Sequence, residues 1–504
     1  MAYQHHDAPM TTAYKRLLEP KILIALLVLG QMLAWTLAPA ISHISPPLDV
    51  VESYMWGREW VVATYKHPSM PGWALEASYL LTGAYGWPAY IVSQLFISAS
   101  FIFVFLLGRD LMGPERAAAG TLLLTGIAYY AWWTPELKHN IAETPFWAGL
   151  PWLLWRAVER RSVAWWALAG AFAGVGMYAR LTVGLLMVTA SVWMIVDRRA
   201  RQSLATFGPW VGLAVFAALC VPLARWLIAN DFLPLTYASR RSANAPNAAS
   251  FVLQTLLNLS GVVVMLAVAG LLTPYRRWRA TDAPPATLRT PAEQRALLLL
   301  LIFTFVPPIL AITGSVITGG GLKTGWGNSL LNFVGLLAIL LLSNRFTRDS
   351  LKAIAVMAAV WLIVVPTCYA LVMGIGPRFK GMASRVHWPQ AEMADRMSAV
   401  WTRETGRPLR IVTGDSWVAG LVGLTAKDRP SLLDYGDLKL SQWITPARID
   451  AEGMLVVWDA RSKDPPEALQ SALVSRAIKE EIFAWPRSKG RPPLVIRYAV
   501  IPPK

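Results

Sequence analysis

The chain has 504 residues, of which 55% are hydrophobic and only 15% are charged, and it contains 24 tryptophans. Soluble domains usually carry about 25% charged residues, so this composition excludes an ordinary soluble protein and predicts an integral membrane protein. The formal net charge is +17, but no dense basic run with interleaved aromatic residues is present, and basic residues are expected in the cytoplasmic loops of a membrane protein. We therefore expect membrane lipids, and no nucleic acid, as partners.

Long apolar segments recur along the chain, and a helix needs about 20 predominantly apolar residues to cross a membrane. We therefore predict a polytopic α-helical membrane protein with about eleven spans. The predicted spans are 21–40, 88–107, 117–134, 141–157, 163–179, 181–196, 207–228, 251–272, 296–313, 328–343 and 352–374. The tripeptide Ala38-Pro39-Ala40 resembles a signal-peptidase site, but because many spans follow it, we expect the first span to be retained.

Arginine and lysine residues precede the first predicted span and follow every second span after it. Cytoplasmic loops carry an excess of these residues, so we predict a cytoplasmic amino terminus. The loops at 41–87, 134–140, 229–250 and 314–327, and the tail from about residue 376, then lie outside.

The tail differs in composition from the rest of the chain. Short strand patterns occur at Leu409–Thr413, Met454–Trp458 and Leu494–Val500, and helix patterns occur at 416–426 and 466–478. We therefore predict two domains. They are a membrane domain at 1–375 and a small extracytoplasmic α/β domain at 376–504.

The first outer loop is long for a passive connection, and it is aromatic as well as charged. Asp49 and Glu52 are three residues apart, so a helix would place both carboxylates on one face. Lys66 and His67 stand beside the rigid Pro68. Carboxylates, a cation and aromatic rings at a membrane surface suit a charged lipid headgroup and a sugar. The alternatives are a solvated helix face for the acids, an interfacial anchor for the lysine and a buried, hydrogen-bonded histidine.

The second outer loop carries another polar cluster, with Glu136, His139, Asn140 and Glu143. Glu136, His139 and Glu143 are spaced i, i+3, i+7, which would form one stripe of a helix and could ligate a divalent metal. Acidic residues at a helix start also complement the helix dipole. A structural role is therefore the alternative for the two glutamates.

Two further basic residues lie near the predicted outer surface. Arg180 stands between the fifth and sixth predicted spans, where a guanidinium must reach water, a phosphate or a carboxylate. Lys323 lies in the glycine-rich loop 319–327, which lacks the G-x-x-x-x-G-K-[ST] spacing of an ATP-binding loop. We expect Lys323 to contact a lipid phosphate, with a plain turn as the alternative. Gly170 and Gly174 form a small-xxx-small pattern that predicts close helix packing.

The first outer loop also resembles a known family. Asp49-Val-Val-Glu52, then Trp56-Gly-Arg-Glu-Trp60, then Tyr65-Lys-His-Pro68 resemble the first loop of the polytopic GT-C glycosyltransferases. These include protein O-mannosyltransferases, the aminoarabinose transferase of lipid A and the RgtA/B/C/D-like lipopolysaccharide galacturonosyltransferases, of which the last are the most similar. The resemblance is densest in residues 46–75. Many members have two prolines after the histidine, whereas Ser69 follows Pro68 here.

The resemblance implies both a fold and a reaction. The fold would be of GT-C type, and the donor would be a sugar on polyprenyl phosphate. Asp49 would act as general base on a hydroxyl of lipid A, lipopolysaccharide or another envelope glycan, with inversion at the anomeric carbon and departure of the lipid phosphate. A second polar group near the donor aligns with Asn140, where relatives often have aspartate, so Glu136 stays open for that role.

The predicted catalytic residues are Asp49 and Glu52. The predicted donor-binding residues are Lys66, His67, Glu136, His139, Asn140, Arg180 and Lys323. We expect no required cofactor, with a divalent metal on Glu136, His139 and Glu143 as the open alternative. The expected location is the bacterial inner membrane, with the active site and the C-terminal domain on the periplasmic side.

A transporter or flippase of lipid-linked sugars is the alternative function. The polar residues gather at one predicted membrane surface, however, and no matched pair of broken helices is evident in the sequence. We therefore expect a transferase.

Overall fold

The computed structural model describes residues 18–272, 290–379, 384–488 and 491–504, and most of them are helical. Helices α1 to α10 are Pro20–Ser42, Leu48–Gly57, Met70–Thr82, Trp87–Met112, Pro114–Leu122, His139–Ala142, Thr144–Arg160, Val163–Ala179, Val183–Val196 and Arg198–Ser203. Helices α11 to α17 are Phe207–Ala229, Leu233–Ala243, Ala248–Leu257, Ser260–Val268, Pro291–Thr318, Val334–Leu341 and Arg348–Ile375. Helices α18 to α21 are Gln390–Thr405, Ser416–Thr425, Pro446–Glu452 and Glu467–Leu473. Strands β1 to β5 are Ile411–Gly414, Ser431–Asp434, Met454–Asp459, Lys479–Phe483 and Leu494–Ile501.

Six helical segments within the described ranges are long and apolar enough to cross a membrane, judged by length and composition. They are α1, α4, α11, Ala248–Val268, α15 and Arg348–Arg378, and they coincide with six of the predicted spans. The predicted span at 328–343 is a bent pair, in which the 3₁₀ segment Thr324–Leu331 meets α16 at 49°. The prediction of a polytopic helical membrane protein is therefore confirmed.

The other four predicted spans are shorter or interrupted. The segment 117–134 is broken, because α5 ends at Leu122 and only 3₁₀ turns follow at Leu123–Gly126 and Ala128–Tyr130. Helix α7 has 17 residues, α8 has 17 and α9 has 14. At 1.5 Å per residue, helices of this length fall short of a hydrocarbon core of about 30 Å. The number of eleven spans stays a prediction.

Local sequence explains where the longest helices begin and end. Pro88 lies in the first turn of α4, where the missing N–H costs no hydrogen bond. Gly113 follows its last residue with φ of 87°, a conformation that glycine adopts freely. Helix α15 begins with a capping box, in which Thr290 and Glu293 each accept a hydrogen bond from the other's backbone.

Glycines allow α8 and α11 to pack closely, as the small-xxx-small pattern predicts. A Cβ atom placed on Gly170 would lie 1.9 Å from the carbonyl oxygen of Gly212, and one on Gly174 would lie 2.8 Å from the Leu219 Cβ. The two helices therefore approach at backbone contact, which only residues without a side chain permit.

A five-stranded sheet of order β2-β1-β3-β5-β4 forms the C-terminal region. Strands β1, β2 and β3 are parallel, whereas β5 pairs antiparallel with both β3 and β4. Strands β1, β3 and β5 and helices α19 and α21 match the sequence patterns predicted for this part. The patterns missed β2 and β4, whose four and five residues are too short to show a clear period.

The C-terminal region packs directly on the first outer loop. A Cβ atom on Gly420 of α19 would lie 2.8 Å from Val51 Cγ1 of α2, and one on Gly423 would lie 2.7 Å from Met55 Cε. Val51 and Met55 belong to the same buried hydrophobic cluster as Val412 of β1. The last long apolar helix ends at Ile375, beside the predicted boundary, yet the two predicted domains share a core.

Candidate functional site

Helix α2 positions the two first-loop acids. It begins at Leu48, directly after the extended backbone of Pro47, and Asp49 lies in its first turn, where a negative charge is favoured by the helix dipole. Asp49 is half-buried, whereas Glu52 is only 2% exposed. The two carboxylates therefore share a helix face, as the spacing predicts, but lie in different surroundings.

Glu52 forms an ion pair with Lys66, whose Nζ lies 2.6 Å from Glu52 Oε1. Three aromatic rings surround this ammonium, with centroids at 5.5 Å for Trp56, 5.4 Å for Tyr65 and 5.7 Å for Tyr237. Such cation–π contacts stabilise a partly desolvated cation. Lys66 is thus a fixed and neutralised charge at the edge of the site.

Asp49 has no cation within ion-pair distance among the residues that the structure describes. It lines a cavity of about 500 Å³, together with Trp132, Trp133, Glu136 and other residues. Burial, followed by the nearby charges of Glu136 and Glu52, raises the pKa of Asp49 to about 7, against the opposing effects of Lys138 and Lys66. A carboxylate with this pKa is suited to accept a proton near neutral pH.

His67 and His139 stack on each other beside the ion pair, with ring centroids 4.1 Å apart. A ring nitrogen of His139 lies 2.9 Å from the Pro68 carbonyl oxygen. Burial and the charge of Arg180 lower the pKa of His139 to about 3. Burial, His139 and Arg180 also hold the pKa of His67 well below its usual value. Both rings are therefore neutral, and neither supplies a positive charge for a phosphate.

The three residues of the possible metal stripe do not converge in the structure, because each side chain contacts a different partner. Helix α6 begins only at His139, so Glu136 precedes the helix and pairs with Lys138 at 2.9 Å. Glu143 instead accepts a hydrogen bond from Arg180. No group of three histidine, cysteine, aspartate or glutamate residues arranged for a metal occurs in the described part of the chain.

Glu143 and Arg180 form a buried ion pair, with Nη1 2.7 Å from Oε1 and exposures of 1% and 6%. The hydroxyl of Thr182 and Ser329 Oγ, at 3.2 Å, also donate to Glu143. This network joins α7, the connection between α8 and α9, and the late 3₁₀ segment. Arg180 thus pairs with a carboxylate, one of its three expected partners, and is not among the residues that line the cavity of Asp49.

Backbone hydrogen bonds tie the glycine-rich loop 319–327 to the end of α12 and to the segment that follows it. Gly321 N donates to Ser242 O and Leu322 N donates to Pro246 O, both at 2.8 Å. Asn140 also donates its side-chain amide to Gly325 O. Burial and the charge of Arg241 lower the pKa of Lys323, which also experiences the charge of Asp49. The loop therefore brings Lys323 near Asp49.

The structure adds cavity-lining residues that the sequence patterns did not single out, chiefly Arg241, Arg385 and Tyr369. One feature of the sequence could have identified Arg241 as a candidate site residue. Arg241 lies in the predicted outer loop 229–250, where the positive-inside rule makes arginine unexpected. Arg385 lies just before α18, and nothing in its local sequence indicated that it approaches Asp49.

Three comparisons with known proteins agree with this architecture. Residues 66–226 match the family described as dolichyl-phosphate-mannose-protein mannosyltransferase. The lipopolysaccharide core galacturonosyltransferase RgtB of Rhizobium johnstonii is 25% identical over 475 residues, covering 90% of this chain and 91% of the relative. RgtA of the same organism is 23% identical over 457 residues, covering 86% of each chain.

The crystal structure of ArnT from Cupriavidus metallidurans bound to undecaprenyl phosphate superimposes with a TM-score of 0.63 at 14% identity. The alignment covers 94% of this chain and 97% of that chain. The apo state of the same enzyme gives a TM-score of 0.54 at 15% identity. At this level of identity the likeness shows a shared fold.

Proposed function

We propose that this chain is a membrane glycosyltransferase of GT-C type, which transfers a sugar from a polyprenyl-phosphate donor to a hydroxyl group of lipid A or of the lipopolysaccharide core. The observation that carries the proposal is Asp49, a carboxylate without a cation partner in the described residues, on the wall of a cavity of about 500 Å³.

Asp49 is the general base of the proposed reaction. Its carboxylate removes the proton of the acceptor hydroxyl as the acceptor oxygen bonds to the anomeric carbon. The bond between that carbon and the phosphate oxygen breaks, and the lipid phosphate leaves with the electron pair. Attack from the face opposite the phosphate inverts the anomeric centre.

Lys323 and Arg241 stabilise the charge that develops on the departing phosphate. Both lie near Asp49, and neither has a carboxylate within ion-pair distance among the described residues. Fixed cations in a partly desolvated site stabilise developing negative charge more strongly than water does. Lys66, held by Glu52, defines the edge of this phosphate site.

The relatives favour a uronic acid as the transferred sugar, because RgtB and RgtA are named as galacturonosyltransferases. The undecaprenyl phosphate in the ArnT structure supports a polyprenyl carrier. The chain is a multi-pass membrane protein, and we place the site and the C-terminal region on the periplasmic side of the inner membrane, where the excess of cytoplasmic arginines puts the outer loops.

The substitution Asp49→Asn tests the base. With purified full-length protein, a polyprenyl-phosphate galacturonic acid donor and a lipid A–core acceptor, we expect product formation to fall by about 100-fold or more, the usual contribution of a general base. Donor binding should stay within about threefold, since the amide keeps the size of the side chain. Mass spectrometry of the product glycolipid measures turnover, and titration with the donor measures binding.

Asp464→Asn is the matched control, because Asp464 is exposed in the C-terminal region, away from the cavity. Its turnover should equal that of the unsubstituted protein. A transporter or flippase would be indifferent to Asp49→Asn, so full activity of this variant in moving or transferring the lipid-linked sugar would overturn the proposal.

A further inference from the structure

The backbone around Arg385 is anchored to the first outer loop. Ile44 N and Ser45 N both donate to the Val386 carbonyl oxygen, at 2.8 and 3.0 Å. Ser45 Oγ donates to the Arg385 carbonyl oxygen at 2.9 Å. Because the loop and this segment share three hydrogen bonds, Arg385 is fixed in position relative to α2.

His387 anchors the same segment from the other side. Its Nδ1 accepts from Ser384 N at 2.8 Å, so its Nε2 carries the proton and donates to Met373 O, also at 2.8 Å. His387 is only 1% exposed. The position of Arg385 is therefore set by contacts on both sides of the chain.

The Arg385 guanidinium, in contrast, donates no hydrogen bond to another residue within the described ranges. It lines the cavity of Asp49, and its guanidinium carbon lies 5.6 Å from the ring centroid of Trp417. Within the described ranges no carboxylate lies within ion-pair distance of it. A guanidinium stacked on an aromatic ring retains its in-plane N–H donors.

Two ion pairs near the cavity cancel their own charges. Lys66 is neutralised by Glu52 at 2.6 Å, and Lys138 is neutralised by Glu136 at 2.9 Å. Neither pair leaves a net charge for a substrate. The net charge available to a substrate therefore comes from the charged side chains in and near the cavity that form no ion pair.

In the part of the chain that the structure describes, the charged groups without an ion-pair partner in or near this cavity are Asp49, Arg241, Lys323 and Arg385. Before transfer, an ionised Asp49 and a singly charged phosphodiester balance two of the three cations. After transfer, the protonated Asp49 is neutral. The released phosphate monoester carries two negative charges, which again balance two of the three cations. Among the described residues, one positive charge therefore stays without a negative partner in both states, and one further singly charged anion would balance it.

We propose that Arg385 binds the carboxylate of an acidic sugar in this cavity and thereby selects a uronic-acid substrate over its neutral counterpart. The proposal rests on the proposed function, and it adds the residue that determines specificity. The planar guanidinium of arginine can donate two parallel hydrogen bonds to a carboxylate. A carboxylate also carries the one negative charge that would balance the remaining cation. The acid can belong to the donor sugar or to the acceptor.

Binding measurements with the full-length protein separate these two sources. The donor pair is polyprenyl-phosphate galacturonic acid and polyprenyl-phosphate galactose. The acceptor pair is a core oligosaccharide glycolipid with free and with methyl-esterified carboxylates. Arg385→Gln should weaken binding of one acidic ligand by about tenfold or more, while its neutral counterpart binds as before. The pair in which this loss occurs identifies which substrate carries the acid.

Arg385→Lys keeps the positive charge but loses the planar guanidinium. Its affinity for the acidic ligand should therefore lie between those of the unsubstituted protein and Arg385→Gln. Arg378→Gln is the control, because Arg378 is exposed seven residues upstream and does not line the cavity. Equal losses with acidic and neutral ligands, no loss with any of them, or failure of the unsubstituted protein to prefer an acidic ligand would overturn the inference.

Because binding needs no turnover, the outcome is separate from that of the proposed function. A protein that binds an acidic sugar through Arg385 but transfers nothing would refute the transferase and leave this inference standing. If Arg385→Gln still transfers sugars with the same preference for acidic substrates, the transferase proposal stands and the role of Arg385 is refuted.

Discussion

At the scale of single residues, the surroundings of each titratable group decide its chemistry. Asp49 shares its cavity with Glu136, and burial together with this second acid raises the pKa of Asp49. The neighbouring His67 and His139 experience the opposite shift, since burial disfavours their charged forms. Near neutral pH, Asp49 is therefore the group among these three that changes charge.

The pH dependence of transfer follows from this arrangement. The pKa of Asp49 is raised to about 7, and only the ionised carboxylate can accept a proton. The rate at low donor concentration should therefore rise with pH through about 7 and level off above it. Burial holds the pKa values of the two histidines below their usual range, so they are not the source of a rise centred near 7. Initial rates between about pH 5 and 9 measure the midpoint.

Glu136→Gln is the companion variant. Glu136 raises the pKa of Asp49 and Lys138 lowers it. Removing the glutamate charge also frees Lys138 from its ion pair. Both effects favour the ionised form of Asp49, so the midpoint should move to lower pH. A midpoint that stays in place would show that another group controls the rate.

At the scale of helices, glycine contacts set how closely α8 and α11 approach each other. Helix α8 lies against α11 with Gly170 facing Gly212. Without a strong hydrophobic driving force in lipid, such close backbone packing is what holds membrane helices together. The short pattern of Gly170 and Gly174 predicted the contact, but it could not identify α11 as the partner.

Gly170→Ala should destabilise the protein by about 1–3 kcal/mol, the usual cost of overpacking, because the new Cβ would lie 1.9 Å from Gly212 O. Gly184→Ala on α9 is the matched control, since its Cβ meets no atom within 4 Å and alanine favours helix. Thermal unfolding in detergent, followed by size-exclusion chromatography, compares the two. Equal melting temperatures for both variants would contradict the packing argument.

At the scale of the whole molecule, the C-terminal sheet region contacts the first outer loop, which carries Asp49. Asp434, at the end of β2, accepts hydrogen bonds from Trp56 Nε1 at 3.0 Å and from Ser416 Oγ at 2.7 Å. Trp56 is one of the three rings around the Lys66 ammonium. The sheet therefore supports the first outer loop through an aromatic ring that contacts the ion pair.

Asp434→Ala should lower both stability and turnover. It leaves Trp56 Nε1 and Ser416 Oγ without their acceptor in a buried place, which costs about 1–3 kcal/mol for each group. Asp395→Ala, an exposed position on α18, should change neither property. Melting temperature and initial rate measure the two effects. Unchanged stability with normal turnover in Asp434→Ala would show that the sheet does not support the loop.

The sequence by itself determined the membrane class, most of the long helices and three strands of the sheet, and it predicted Asp49 as the candidate base. These features depend on composition and on local periods, which a short stretch of chain displays in full. The resemblance of residues 46–75 to GT-C enzymes added the reaction type, since the first-loop motif is local as well.

Only the tertiary structure decided which charged and polar side chains pair with each other. Arg180 lies 37 residues from Glu143 in sequence, and Trp56 lies 378 residues from Asp434. Arg385 reaches the cavity because hydrogen bonds tie its segment to Ile44 and Ser45. Local sequence gives the charge of each residue but does not identify its partner. The partner depends on how distant elements pack, because polar groups that become buried must be paired.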